Sequence, residues 1–475
     1  MLKHKMLRDL KGNLGQFLAV FLLCTLALAT FTCFRSTDNG AYQALDDFNA
    51  SSKTASAWIY GESFSEEEAA QVEQLDTITA TQLRSRLSGE STGQGQAQVD
   101  LYLEKDNQLS MPLVTEGNPI DFADPDSLWI NQQFADIWKL NVGDDFSFSC
   151  AGQTVTKRIA GLILSPEYIY MKADDDLDTD FKNIAYVYMA RSAFPFNEMI
   201  PYNQLLIRSD QTDVMALEEK VSEALDGHYA VYIDKDSMPG IRVFLDEIHQ
   251  HEQFSWLFAI IFVLVSLLII MTAMRRMIDA QRTQIGTMNA LGLKRSTITL
   301  HYMSFSFFVS ILGVILGILT GPATIGRYMI DIFGSFYTLP DWGMASDPGY
   351  YLCAATVVGC STLAAFLSCR RLLKLEPAEA LRPVPPKSGK RTIFEKLPGW
   401  EHLGFTLQYD LRDAARSKLR ILMSIVGTMC GMMLMVCAFA CSTTIDETYS
   451  WNFDRLTNYN TQMTFESGTA LADEE

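Results

Sequence analysis

Five stretches of this chain contain no Asp, Glu, Lys or Arg: Phe17 to Phe34, Phe254 to Met274, Leu300 to Thr320, Tyr350 to Ser368 and Ile421 to Cys441. A bilayer core is crossed by roughly 20 apolar residues wound as a helix, and each run is close to that length. One such run would also fit a buried core helix. Five, with charge gathered at their ends, do not fit a soluble protein, whose helices keep a polar face toward water. The runs predict spans at 16–35, 254–274, 299–322, 349–369 and 421–442, forming an α-helical transmembrane bundle.

Charge then orients the spans. The 475 residues carry 56 acidic and 38 basic side chains, a net charge of −18. Residues 36–250 hold 37 of the acidic and 14 of the basic ones. Basic residues gather instead at Lys3, Lys5, Arg8 and Lys11, at Arg275, Arg276, Arg282, Lys294 and Arg295, and between Arg370 and Arg420. Positive charge resists translocation, so Lys and Arg mark cytoplasmic loops. The expected order is a cytoplasmic N-terminus (1–15), an outer domain (36–250), an inner segment (275–297), an outer loop (323–348), an inner linker (370–420) and an outer tail (443–475). The run from Phe17 to Phe34 is long for a signal peptide and no Ala-x-Ala directly follows it, which predicts an uncleaved anchor.

The outer region reads as α+β. Val99 to Leu103 alternates with the period of a half-buried strand. Ile184 to Met189 and Gln204 to Ile207 have strand composition, whereas Ser65 to Leu75 and Asp213 to Leu225 have helical spacing, with Leu217, Val221 and Leu225 on one stripe. Asp213 is placed to cap the second helix. Arg84 to Gln98, rich in Gly, Ser and Gln, reads as a loop. Cys150 is the one cysteine of this region, so no internal disulfide forms there. Asp174, Asp175, Asp176, Asp178 and Asp180 resemble a calcium loop in spacing but lack its Gly and its terminal Glu, as Val187 stands there; a solvated acidic loop is expected. His249 and His251 lack a third ligand and read as interfacial residues.

No catalytic, cofactor or metal residues are expected. There is no HExxH. Gly389-Lys390-Arg391-Thr392 has Val384 where a phosphate loop needs its first Gly, so ATP would have to be bound by a separate subunit. The chain is expected to be a non-enzyme.

Between the second and third runs, Ile278, Ile285, Met288 and Leu291 fall near one helical face, and Gly292 sits where that helix would end. Arg282-Thr283-Gln284-Ile285-Gly286-Thr287-Met288-Asn289-Ala290-Leu291-Gly292 resembles the R-x-E-I-G-x-x-x-A-L-G signature of the FtsX-like, or MacB-type, ABC permease family. Gln284 stands in place of the Glu, so a salt bridge from that position is not available. Glu376 to Arg382 resembles the P-x-E-A-L-R that follows the family's last span, and Leu140 to Asp144 with Ile159 to Leu162 resembles its L-x-V-G-D … V-x-G outer motif. The resemblance covers residues 1 to about 383. It implies a MacB-type outer domain and a coupling helix containing Arg282, Gln284, Ile285, Gly286, Met288, Ala290, Leu291 and Gly292. It also implies an ABC-type ATPase partner, a second permease copy or a homodimer, and mechanical work on the outer side. Lipid and no nucleic acid completes the expected list of partners.

Gly313, Gly317 and Gly321 in the third run form a small-xxx-small stripe that lets helices approach closely. Leu7-Arg8-Asp9 before the first run recurs as Leu411-Arg412-Asp413 before the fifth. This predicts a duplicated permease whose second copy begins at 411 and continues past Glu475; the alternative is a natural five-span protein with a short outer tail. A rival reading is an anchored outer sensor or binding protein with no ATPase partner.

Overall fold

Trp58 and Ile59 are neighbours in sequence, yet each is fully buried in a different core. That is the alternation of a strand with cover on both faces, and it sets the plan of the outer domain. The computed structural model describes residues 14–451 except 107, 151, 172–179, 196, 371–403 and 417. The acidic loop Asp174 to Thr179, the Gly389 segment, most of the inner linker, the first residues and the tail from 452 lie outside the described residues. Two compact units make up the chain, Met1–Val263 with Met303–Leu363, and Leu264–Tyr302 with Ala364–Glu475.

In the first unit, α1 (Leu14–Ser51) leads into β1 (Ala57–Phe64), α2 (Glu66–Glu73), β2 (Ile78–Ser91), β3 (Gln98–Glu104), β4 (Leu113–Gly117) and β5 (Ser127–Asn131). Then follow α3 (Gln132–Trp138), β6 (Asp145–Cys150), β7 (Gln153–Leu164), β8 (Ile184–Ala190), β9 (Tyr202–Ser209), α4 (Val214–Ala224) and β10 (Val231–Asp234). The strands form one mixed sheet, in the order β10-β1-β9-β2-β3-β8-β5-β7-β4, with β6 pairing to β2 and β7. Parallel pairs are β3 with β8 and β5 with β7.

Local chemistry accounts for these elements. Ser65 and Glu68 form a reciprocal capping box at the start of α2. Asp213 accepts from the Ala216 amide at 3.2 Å and starts α4. Val72, Leu217 and Val221 then close over Ile59, Leu205 and Ile207. On the other half of the sheet, Leu101, Ile130, Phe146, Phe148 and Val187 share a second core. The turn Asn141 to Asp144 is locked to β7, because the Gly143 amide donates to Ile159 at 2.8 Å and the Ile159 amide to Asp144 at 2.9 Å. Gly143 has φ of +99°, a conformation costly for any residue with a Cβ.

Two sequence expectations change. Arg84 to Ser91 is strand rather than loop: β2 runs to Ser91 and pairs Ser85 with Leu103 and Leu87 with Leu101. Cross-strand packing outweighs the weak strand propensity of Ser and Gly there. The first and second spans also continue well beyond their apolar runs. α1 keeps its helix to Ser51, and α5 (Pro239–Ala280) is already helical 15 residues before Phe254. Ala41, Leu45 and Phe48 recur at helical spacing and are buried, which carries α1 into the outer domain. With 38 and 42 residues, these helices are about 57 and 63 Å long, twice the apolar thickness of a bilayer.

The remaining helices are α6 (Arg282–Ala290), α7 (Arg295–Thr320), α8 (Arg327–Phe333), α9 (Gly349–Arg370), α10 (Phe405–Arg416) and α11 (Lys418–Ser450). A wider π-helical turn over Gly321–Gly326 separates α7 from α8. Pro322 within it has no amide hydrogen to continue an α ladder. Among the described residues, five helices are long and apolar enough to cross a membrane: Phe17–Ser51, Pro239–Ala280, Arg295–Phe333, Gly349–Arg370 and Ile425–Thr448. The chain is a multi-pass membrane protein with an α+β domain between its first two spans.

Candidate functional site

Three groups of residues in this scaffold are candidates for a functional site. The first lies where α1 and α5 leave the apolar runs. Arg35 of α1 donates from Nε to Asp347, just before α9, and from Nη1 to Glu252 of α5. Close by, His251 Nδ1 lies 3.2 Å from Asp38 Oδ1, and its Nε2 is 3.5 Å from Glu247. The loop after α8 is tied to the same place. Trp342 Nε1 donates to the Thr37 carbonyl at 3.1 Å, and the Ala345 amide donates to Ser36 at 3.0 Å. The Arg35 bonds are charge-assisted and fix direction as well as distance, so α1, α5 and the α8–α9 loop are tied together at this point. His249 Nδ1 sits 2.8 Å from its own helix carbonyl at Leu245. The sequence did contain a clue. Arg35 directly follows one apolar run and Glu252 stands just before the next, which puts opposite charges at one membrane depth.

The second group is the polar centre of the outer sheet. Arg84, fully buried, donates to both oxygens of Glu167 at 2.9 and 2.8 Å and to Gln204 Oε1 at 2.8 Å. Trp58 Nε1 adds a bond to Glu167 at 2.9 Å. Glu104 lies 3.6 Å from Arg84, but neither of its oxygens has a hydrogen-bond partner. Burial pushes the Glu104 carboxyl up to about 8, with Arg84 and, more weakly, Gln82 opposing the shift. Glu104 is therefore protonated in the folded protein at neutral pH, while in the unfolded chain it ionises near its usual 4.5. The folded state binds the extra proton across that window, so Glu104 makes stability fall as pH rises from about 4.5 to about 8. Glu104→Gln is expected to flatten this decline in thermal melts between pH 5 and 8. A variant whose melts fall as steeply as the parent's would show that Glu104 is ionised in the fold.

The third group is the inner helix of the second unit, α6. Ile285 and Gly286 are buried, Arg282 and Met288 are half-buried, and Gln284, Ala290, Leu291 and Gly292 are exposed. The helix ends in a Schellman motif: Gly292 has φ of +87°, its amide donates to Asn289 at 3.1 Å, and the Leu293 amide donates to Met288 at 3.1 Å. The apolar face expected from spacing is thus divided. Ile278 and Ile285 point inward, whereas Leu291, 76% exposed, points out beyond the end of the helix.

The glycine stripe sits against α1. A Cβ at Gly313 would lie 2.7 Å from the Phe21 carbonyl oxygen, and one at Gly317 would lie 2.6 Å from that of Thr25. At Gly321 it would overlap the Ala29 carbonyl and Thr32 Oγ1. The three glycines therefore set the spacing of α7 from α1.

Among the described residues no group of three or more His, Cys, Asp or Glu side chains is arranged to hold a metal ion. Asp180, at the edge of the undescribed acidic loop, caps the amides of Lys182 and Asn183 at 3.2 and 2.9 Å.

Residues 256–377 match the model of the family described as FtsX-like permease C-terminal. No curated protein matches the chain. Among solved structures, the periplasmic region of MacB from Actinobacillus actinomycetemcomitans is similar at 11% identity and a TM-score of 0.27, covering 38% of this chain and 89% of that one. The extracellular domain of the noncanonic ABC-type transporter YknZ from Gram-positive bacteria is similar at 12% identity and a TM-score of 0.26, covering 38% of this chain and 98% of that one.

Proposed function

We propose that the chain, whose residues 256–377 match the FtsX-like permease C-terminal model, is the permease subunit of an ABC-type complex, driven by ATP bound in a separate ATPase subunit. The observation that carries the reading is that the family match encloses α6, with its exposed Ala290 and Leu291. In this proposal the ATPase seats Ala290, Leu291 and Gln284, while Ile285 and Gly286 hold α6 in place. The N-terminus and α6 face the cytoplasm, and residues 36–250 face outside, following the distribution of Lys and Arg. A second permease copy or a second such chain completes the membrane part.

The mechanism is mechanical. ATP binding moves α6, and α5, helical without a break from Pro239 to Ala280, carries the displacement outward. The joint at Arg35, Glu252 and Asp347 passes it to α1 and the α8–α9 loop, and the outer domain changes shape. No path through the spans is required, in keeping with their lack of charge.

Ala290→Trp tests the docking. The exposed position leaves folding intact, and a misfitting side chain at an interface costs more than about 1 kcal/mol. The variant should insert normally but bind its ATPase roughly tenfold more weakly, since a tenfold change is about 1.4 kcal/mol. Unaltered assembly and coupled ATP turnover in reconstituted liposomes would contradict the proposal.

A further inference from the structure

The outer sheet does not close completely against the first turns of α5. Between them lies a cavity of about 700 Å³, within the size range of small-molecule sites. Tyr60, Tyr102 and Tyr168 form one wall, and Met238 and Val243 of α5 stand opposite. Tyr102 and Tyr168 are held in place, their hydroxyls 2.7 Å apart and the Tyr168 hydroxyl donating to Asp100 at 2.6 Å. The wall is therefore preorganised, which lowers the entropic cost of binding.

The charges inside are matched. Asp100 accepts from Arg86 at 2.8 Å, from Gln98 at 3.1 Å and from Ser88 at 3.3 Å. Glu167 is taken by Arg84 and Trp58. Among the described lining residues no carboxylate is left over to attract a cation, and a second anion would be repelled by Asp100 and Glu167. Arg86 gives one N–H to Asp100 while its side chain stays 38% exposed, so the guanidinium offers further donors to the cavity.

We propose that this cavity binds a small uncharged molecule with an aromatic or aliphatic body and one hydrogen-bond acceptor, the body against the tyrosine wall and the acceptor at Arg86. Such a ligand touches both the sheet and the outer end of α5, the helix assigned above to carry force. Occupancy then braces α5 against the sheet. The binding itself stands whether or not an ATPase partner is found, because every residue invoked lies in the outer domain and the start of α5.

Benzophenone, an uncharged aromatic ketone that cross-links to nearby C–H bonds on illumination, is a suitable probe. The full chain in lipid nanodiscs is illuminated over a concentration series, and adducts are mapped by mass spectrometry. Saturable adducts are expected on the peptides containing Met171, Met238 and Val243, in addition to non-saturable labelling of the spans. Val243→Trp and Gln98→Trp fill the cavity from opposite walls at exposed positions. Each should reduce the cavity adducts at least tenfold with Tm unchanged. Adducts confined to the spans and rising linearly with concentration would overturn the proposal. So would cavity adducts that persist in both well-folded variants.

Discussion

Replacing Arg84 with methionine is expected to remove about 3–5 kcal/mol from the stability of the outer domain, the usual cost of stripping one partner from a buried ion pair. Arg84 has no exposed surface, and its loss leaves Glu167 with Trp58 but no counter-charge, and Gln204 Oε1 without its donor. The carboxylate is left at 7% exposure, too little for water to replace the lost guanidinium. Lys105→Met is the contrasting case. Lys105 and Glu66 pair at 2.8 Å, but their side chains are 61% and 75% exposed, so the change should cost under about 1 kcal/mol. Thermal melts of the two variants should differ plainly. Arg84→Met melting alongside Lys105→Met would show that the buried pair does not hold the sheet. Arg84→Met combined with Glu167→Met should recover part of the loss, because the Glu167 carboxylate is then no longer buried without its guanidinium.

The second large effect is expected in the membrane part. Gly317→Leu puts a side chain where the Thr25 carbonyl oxygen lies 2.6 Å and the Leu28 Cβ 2.7 Å from the first added carbon. Backbone atoms cannot turn aside as a side chain can, so α7 must move away from α1. Overpacking costs about 1–3 kcal/mol or more, and here the neighbouring contacts at Gly313 and Gly321 are pulled apart too. Gly359→Leu in α9 is the control, since a Cβ there meets nothing within 4 Å. Detergent-purified Gly317→Leu should show a clearly lower Tm and yield, with Gly359→Leu close to the parent. Equal behaviour of the two would mean that α1 and α7 do not pack along this stripe.

Much of this architecture was legible because it is written in local patterns. Apolar runs give spans, Ser65 with Glu68 and Asp213 give helix starts, and the alternation of Val99 to Leu103 gives a strand. What was not legible depends on partners distant in sequence. Arg84 looked like a loop residue because its burial is decided by Glu167, 83 positions away. The joint at Arg35 needs Glu252 and Asp347, 217 and 312 positions away. The helical extension of α1 to Ser51 was hidden by polar residues such as Asp46 and Asp47, which face outward while Leu45 and Phe48 face in. The cavity beside α5 could not be read at all. It exists because Gln98, Asp100 and Tyr102 share one strand face and nothing in the described chain fills the space before them.

Docking of the inner helix of a permease subunit on an ATPase can be detected by site-specific cross-linking. Ala290→Cys and Ser127→Cys carry a short thiol-reactive photo-cross-linker in membranes from the native cell, where ATP-binding polypeptides are marked with a photoreactive ATP analogue. Position 290 is expected to cross-link to an ATP-marked polypeptide and position 127, on the outer domain, is not. A cross-link from 127 rather than 290, or none from 290 in membranes that contain the assembled chain, would contradict this docking.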